Sequence, residues 1–311
     1  MKVITVGAHL LDILVRPVDG IPDGQQTALV QDIRITAAGT AAGTALTLAK
    51  LGARVRTAGA VGTDSTGDFL VSLLNTAGID TTLIVRKPDQ PTSASVLPIR
   101  PNGERPSLHL LGANPFYTLD DVDWDAIAAT DHLHLGGPEL LGASNAARIL
   151  RHAKDNGVTT SADLIAPGAL GSLDAIAATL PHIDYFLPND EQALGFTGAT
   201  TLSAACEILH DAGAHTLAIT QGAAGALLST PAGTRTISAF AVDVVDTTGC
   251  GDAFSAGFLR GLALGREPAT AAILGNAVAA LVAQGLGSDH GEFTLATADA
   301  FAAQTPTVTT R

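Results

Sequence analysis

Residues 244–265 read VVDTTGCGDAFSAGFLRGLALG. Two threonines, a Gly-Cys-Gly turn and a carboxylate come together just ahead of a helical pattern. Phe254, Phe258 and Leu262 repeat at helical spacing, which predicts a helix starting near Asp252. The amides of Gly249, Cys250 and Gly251 then sit at a helix N-terminus, where unsatisfied N–H groups and the helix dipole attract an anion. The same field is expected to keep Asp252 ionised. An ionised acid beside an anion-binding turn can take a proton from an attacking hydroxyl. The turn meanwhile stabilises charge on a phosphoryl group in transfer. Gly-x-Gly-Asp alone equally suits a plain strand-to-helix connection. Cys250 has no histidine or other base near it in sequence, so a cysteine nucleophile is not indicated.

These residues need a scaffold, and the rest of the chain supplies its pattern. VITVGAHLLDILV opens as a β-branched run interrupted at Gly7 and resumed around Asp12. A glycine cluster, AAGTAAGTA, leads into a helix predicted over Thr44–Leu51 with Gly52 closing it. VRTAGAVG reads as a strand, and FLVSLLNTAGI as a helix ending near Gly78. Between Thr92 and Leu111 two extended runs flank Asn102-Gly103, a hairpin signal. After residue 120, strands and helices alternate: DHLHLGG, a helix near 143–156, VTTSADL, IDYFLPN, a helix, HTLAITQG and GALLST. Further helices are predicted near 252–264, 268–284 and 296–304. Alternation of this kind implies a parallel sheet covered by helices on both faces. The early hairpin reads as an addition to one α/β domain, positioned to form a lid.

Bulk properties exclude several classes. The 311 residues carry a formal net charge of −13, which argues against nucleic acid as a partner. No apolar run approaches the ~20 residues of a membrane span, and MKVITVGAHLL lacks a signal peptide's basic start. A cytoplasmic protein without membrane contact is expected. Cys206 and Cys250 have neither disulfide nor zinc-ligand spacing. His132 and His134 alternate on one strand face and read as ordinary strand packing. Neither a P-loop Gly-x-x-x-x-Gly-Lys nor a Gly-x-Gly-x-x-Gly turn after the first strand is present, which excludes P-loop kinases and dinucleotide oxidoreductases.

The longer run Asp-Thr-Thr-Gly-Cys-Gly-Asp-Ala-Phe resembles the C-terminal signature of the ribokinase-like, or phosphofructokinase-B-type, carbohydrate kinases, with Cys250 where alanine is usual. LGARVRTAGAVGTDSTGDFL is similar to that family's first signature, and the likeness spans nearly the whole chain. It implies a three-layer α/β sandwich over residues 1–311 with a mainly parallel central sheet. It also implies a small β lid drawn from about 12–36 and 92–111. It implies Asp252 as general base with the 249–251 amides around the phosphoryl group. Asp12, Gly39, Thr40, Gly43 and Asn114 become acceptor-binding residues. Asn189, Thr220, Gly222, Gly225 and Asn276 fall where the family holds ATP. Gln192 and its neighbour Glu191 match the position that orders magnesium through water. Asp246 and Thr248 match backbone ligands of a monovalent cation, potassium, with Val282, Gly285 and Gly287 as further candidates. Asp163 follows a strand and could lie near the site. Lid strands that pair between subunits in this family imply a homodimer.

Departures refine the expectation. The family's asparagine after the glycine segment is Gly43, and the asparagine that ribokinases place two residues before the first aspartate is Leu10. Two ribose-hydroxyl partners are thus missing, which points away from ribose itself. Gln192 replaces a glutamate, so either Glu191 takes over its task or magnesium control is weaker, and the second reading is favoured. The reading is an ATP-dependent phosphotransferase acting on a hydroxyl of a small sugar or sugar derivative. Its rivals are a nucleoside kinase of the same fold and a non-catalytic sugar- or nucleotide-binding relative. Aromatic residues make up only 4% of the chain, so few rings are available to stack on a base.

Overall fold

The computed structural model describes residues 1–101, 104–165 and 171–308. The Asn102-Gly103 turn lies outside the described residues. Thirteen strands and ten α-helices are described. The strands are β1 (Lys2–Gly7), β2 (Leu10–Arg16), β3 (Asp32–Ala38), β4 (Arg54–Gly62), β5 (Asp80–Lys87), β6 (Ala94–Pro98), β7 (Leu108–Leu110), β8 (His132–Gly136), β9 (Thr159–Asp163), β10 (Tyr185–Phe186), β11 (Thr216–Thr220), β12 (Ala226–Thr230) and β13 (Gly233–Ile237). The helices are α1 (Thr40–Lys50), α2 (Ser65–Thr76), α3 (Trp124–Ala128), α4 (Pro138–Leu141), α5 (Ala143–Asp155), α6 (Asp190–Thr197), α7 (Leu202–Asp211), α8 (Cys250–Ala263), α9 (Pro268–Val282) and α10 (Leu295–Gln304).

The central sheet runs β13-β12-β11-β10-β9-β8-β1-β4-β5. It is parallel from β11 to β5, while β12 and β13 are antiparallel additions at one edge. Its strands are short β-branched and aliphatic runs, as a sheet covered on both faces requires. Alternate side chains feed opposite layers. Ile4, Val6, Leu133 and Leu135 pack with α5, α6 and α7. Val3, Val55 and Val61 pack with α1, α2 and α8. None of the helices is long and apolar enough to cross a membrane among the described residues.

A second sheet, ordered β3-β2-β6-β7, forms the lid. In it β2 pairs antiparallel with β3 and parallel with β6, and β6 pairs antiparallel with β7. The register aligns Asp12 with Ser95 and Ser95 with His109 across three strands. One lid face therefore carries a polar row, Asp12, Ser95 and His109, flanked by Leu10 and Leu97. The other carries Ile33, Ile35, Val96, Leu108 and Leu110, all exposed.

Two boundaries differ from the sequence-based expectation. Helix α1 starts at Thr40 rather than Thr44, because Gly39 turns the chain with φ 100° directly into it. That places Gly43 inside the helix. Helix α8 starts at Cys250, two residues ahead of Asp252, after Gly249 adopts the left-handed φ of 74°.

Candidate active site

A cavity of about 770 Å³ opens between the lid and the carboxyl ends of the parallel strands. In open α/β sheets ligands bind at that end. Its floor is made by the starts of α1 and α8, which bring Gly39, Thr40, Gly249, Gly251 and Asp252 to one place. Asp163 reaches it from the end of β9, and Thr220 from the end of β11. Asn189, Asp190, Glu191 and Gln192 come from the start of α6, and Gly222 from the turn after β11. The lid contributes Asp12, Ser95, Arg105, Ser107 and His109.

Close backbone approaches fix this floor. A Cβ on Gly39 would lie 2.5 Å from the Ala8 carbonyl oxygen, and one on Gly249 would lie 2.3 Å from the Ser288 Cβ. Both glycines also have positive φ, so only glycine fits at either turn. Gly43 does something different from the acceptor contact expected of it. It is not among the cavity-lining residues, and a Cβ there would fall 2.2 Å from the Asp252 Oδ2. Gly43 leaves room for the carboxylate, not for a ligand.

Cys250 also departs from expectation. Its N–H donates to the Thr247 carbonyl at 3.2 Å, closing the turn, and Gly249 and Gly251, not Cys250, line the cavity. Its thiol points away, toward the Ala279 carbonyl at 3.6 Å, and burial pushes its pKa up to about 12.

The helix field does not hold Asp252 in the ordinary carboxylate range. Desolvation at the cavity floor pushes its pKa well above that range, and the neighbouring carboxylates of Asp163 and Asp12 add to the rise. Arg105 opposes them without cancelling them. Asp12 is raised to about 6, chiefly by burial, against the opposing pull of Ser95 and Arg105. A carboxylate whose pKa is raised accepts a proton more readily than an ordinary one does.

Asp163 has a buried histidine behind it. Its Oδ2 lies 3.4 Å from His134 Nε2, while His134 Nδ1 sits 2.9 Å from the Ser161 hydroxyl, which is 2.7 Å from His132 Nε2. The two histidines thus form a buried polar chain behind a cavity carboxylate, more than the strand packing their alternation suggested. Burial and the neighbouring His134 lower the His132 pKa to about 3, so that ring is neutral.

Several predicted ligand residues have other partners. Asn114 accepts the His9 N–H through Oδ1 at 2.9 Å and is not among the cavity-lining residues; it locks the turn between β1 and β2. Asn276 is buried and donates to the Ile237 and Ser238 carbonyls, tying α9 to the end of β13 away from the cavity. Gly225 ends the β11–β12 hairpin turn with φ 96°, and a Cβ there would lie 2.0 Å from the Ile237 carbonyl oxygen. It serves the hairpin, whereas Thr220 and Gly222 line the cavity.

Gln192 is the clearest correction. Its Oε1 accepts the Asn189 N–H, and the Asn189 Oδ1 accepts the Gln192 N–H, a reciprocal cap at the start of α6. Its Nε2 donates to the Leu164 and Ile165 carbonyls at 2.9 and 3.2 Å. Both amide hydrogens are thus taken by protein carbonyls, and Oε1 already accepts one backbone N–H. Asp190 and Glu191 are the carboxylates at that end of the cavity. Asp246 is likewise occupied: Oδ1 accepts from the Thr248 N–H and hydroxyl, and Oδ2 from the Gly287 N–H. Its carboxylate knits the two segments expected to hold a monovalent cation and leaves their backbone carbonyls for that task.

Arg105, Ser95, Ser107 and His109 were not picked out from the sequence. The available signal is the alternation in Arg105-Pro106-Ser107-Leu108-His109-Leu110, polar at odd positions and apolar at two of the three even ones.

An acid and an anion turn at the carboxyl ends of a parallel sheet, beneath a β lid, define a phosphotransferase of the α/β class. The model of the pfkB family carbohydrate kinases matches residues 2–293. The ATP-dependent ribose-1-phosphate kinase of Halopiger xanaduensis is 31% identical over 305 residues, 97% of each chain. The ribokinase of Haemophilus influenzae is 32% identical over 265 residues, 82% of this chain and 84% of its own. The structure of Arabidopsis thaliana ribokinase complexed with ribose and ATP shares the fold, with a TM-score of 0.82 at 23% identity over 97% of this chain and 98% of that one. The chain belongs to the pfkB family of carbohydrate kinases.

Two outcomes test this geometry. Gly43→Ala should leave the protein folded, because the clash is with the Asp252 side chain and not with backbone, and a helical alanine regains about 1 kcal/mol over glycine. Turnover should nonetheless fall about 10²-fold, the usual effect of misplacing a reacting group by an ångström. An unchanged kcat would show that Asp252 works from another position. Asp163→Asn should move the acidic limb of the kcat/KM profile to lower pH, since a neutral amide no longer raises the Asp252 pKa. A limb that stays put or moves upward removes Asp163 from the electrostatics of the base.

Proposed function

We propose that this carbohydrate kinase transfers the γ-phosphoryl group of ATP to a hydroxyl of a small sugar or sugar derivative, with Asp252 as the base. The observation that supports the assignment is that Asp252, Gly249 and Gly251 line one cavity together at the start of α8. Asp252 takes the hydroxyl proton as the oxygen attacks, and the two amides receive charge on the moving phosphoryl oxygens. Asp12, joined across the lid sheet by Ser95, accepts hydrogen bonds from acceptor hydroxyls. Gly39 allows the acceptor to approach the backbone closely, and the Thr40 hydroxyl, buried and without a protein partner among the described residues, is available to it. Asn189, Thr220 and Gly222 line the nucleotide side. The lid excludes water, which protects ATP from hydrolysis.

Hydrated magnesium fits the opposite end of the cavity. No three His, Cys, Asp or Glu side chains are grouped to grip a metal directly among the described residues, and Mg²⁺ characteristically keeps several waters and leans on carboxylates and phosphates. Asp190 and Glu191 supply those carboxylates. When bound, the ion neutralises phosphate charge. Potassium held by backbone carbonyls near Asp246, Thr248, Val282, Gly285 and Gly287 is part of the same proposal. So are a cytoplasmic setting and a homodimer formed through the exposed apolar face of the lid; neither nucleic acid nor membrane is a proposed partner. A nucleoside acceptor is the second reading. The cavity-lining residues include no Phe, Tyr or Trp among those described, so the sugar is favoured.

An ADP-release screen over pentoses, hexoses, sugar acids, sugar phosphates and nucleosides tests the activity. Asp252→Asn should retain the fold and lower kcat by about 10²–10⁴; near-normal turnover would remove it as the base. In magnesium titrations run in potassium and in sodium, Glu191→Gln should raise the magnesium needed for half-maximal activity, and potassium should raise the rate. Gln192→Glu should not lower that requirement. It should cost about 1–3 kcal/mol of stability by setting a carboxylate against two carbonyls. A lowered magnesium requirement in Gln192→Glu would return residue 192 to the metal site. Light scattering should give twice the 31.4 kDa chain mass, and Leu108→Asp should halve it; a monomeric parent protein would dismiss the lid interface.

A further inference from the structure

The lid's inner face has a chemistry that a neutral sugar does not use. His109 in β7 and Arg105 and Ser107 in the segment leading into it line the cavity, while Leu108 and Leu110 of β7 are exposed. His109 faces Ser95 across the sheet, with Nδ1 at 3.0 Å from the Ser95 hydroxyl, and Ser95 faces Asp12. The row therefore begins at the acceptor's aspartate and continues to a guanidinium. Arg105 is placed by its Nε, which donates to the Thr247 hydroxyl at 3.1 Å, next to the anion turn. It is the one Arg or Lys among the described residues lining the cavity, against the carboxylates of Asp12, Asp163, Asp190, Glu191 and Asp252.

Resting on the kinase reading for the identity of the site, we infer that the acceptor is a small polyol bearing its own anionic group, a phosphate or a carboxylate, held by Arg105 with Ser107 and His109 while Asp12 holds its hydroxyls. Of the cavity's side chains, this guanidinium alone is a fixed cation set against five carboxylates, so it also orients an anionic acceptor. The planar guanidinium suits two-point recognition of either oxyanion. The acceptor rather than the nucleotide is its partner because Arg105 leads into the lid strand whose His109 faces Ser95 and, through it, Asp12, whereas the nucleotide side of the cavity lies at α6 and β11.

The test pairs neutral and anionic acceptors: a pentose, its 1-phosphate, its 5-phosphate, a hexose and the corresponding sugar acid. Turnover is followed by ADP release, and binding by calorimetry without ATP. An anionic acceptor should exceed its neutral counterpart in kcat/KM. Arg105→Gln should shrink that ratio by about 10–100-fold, as expected for losing charge-assisted hydrogen bonds. Arg105→Lys should keep part of it. The phosphate and acid arms say which oxyanion is used. Preference for neutral acceptors, or a rise in the KM for ATP larger than that for the acceptor in Arg105→Gln, overturns the inference while leaving the kinase intact. Arg105-dependent binding of an anionic polyol with no turnover of any acceptor supports the subsite and removes the kinase reading. Absence of both binding and turnover for every anionic acceptor overturns the inference as well.

Discussion

The geometry of the site depends on how closely α1 and α8 pass one another. At their crossing the α-carbon of Gly43 stands where a single methyl group would collide with the Asp252 carboxylate. Because the helices meet there, both of their N-termini open into the same cavity, and the carboxylate is pressed into a region with little solvent. That placement raises the Asp252 pKa despite the favourable helix field, since removal of water from a carboxylate outweighs a partial charge of half a unit at a helix end. The same tightness recurs behind it. A Cβ on Gly257 would lie 2.8 Å from Gly275, and one on Gly261 would lie 2.8 Å from Ala271, so α8 and α9 pack backbone to backbone. The base is thus carried on a helix that has little freedom to shift.

The lid is organised by a simpler rule, the two-residue period of a strand. Every second residue faces the cavity, and the residues between face outward. One short sheet can therefore present Asp12, Ser95 and His109 to a ligand while exposing Ile33, Ile35 and Leu108 on its other side. Arg105 links that sheet to the anion turn through Thr247, so the lid and the phosphoryl site meet at one hydrogen bond.

Much of the architecture is legible in the sequence, because alternating apolar strands and amphipathic helices leave few ways to bury both faces of a sheet. The DTTGCGDAF run likewise announces an anion turn with an acid beside it. Other features depend on distances that no local pattern encodes. Gly43 looks like a ligand-facing glycine until α8 is seen against it. Gln192 looks like a weakened metal residue until Leu164 and Ile165, nearly thirty residues away, prove to be its partners. Asn114 and Asn276 read as ligand contacts by resemblance, yet each satisfies backbone groups brought near by the fold. The pKa of Asp252 was misjudged for the same reason: the dipole of its own helix is local information, and the carboxylates of Asp12 and Asp163 are not.

Cys250 occupies the signature turn, a few ångströms of chain from the reacting atoms, and would be an obvious target for oxidants or alkylating agents. Its thiol is turned into the α8–α9 contact and, at a pKa of about 12, is almost wholly uncharged under physiological conditions. Thiolates, not thiols, react with peroxides and disulfides. The turn therefore carries a cysteine whose reactive thiolate form is scarce.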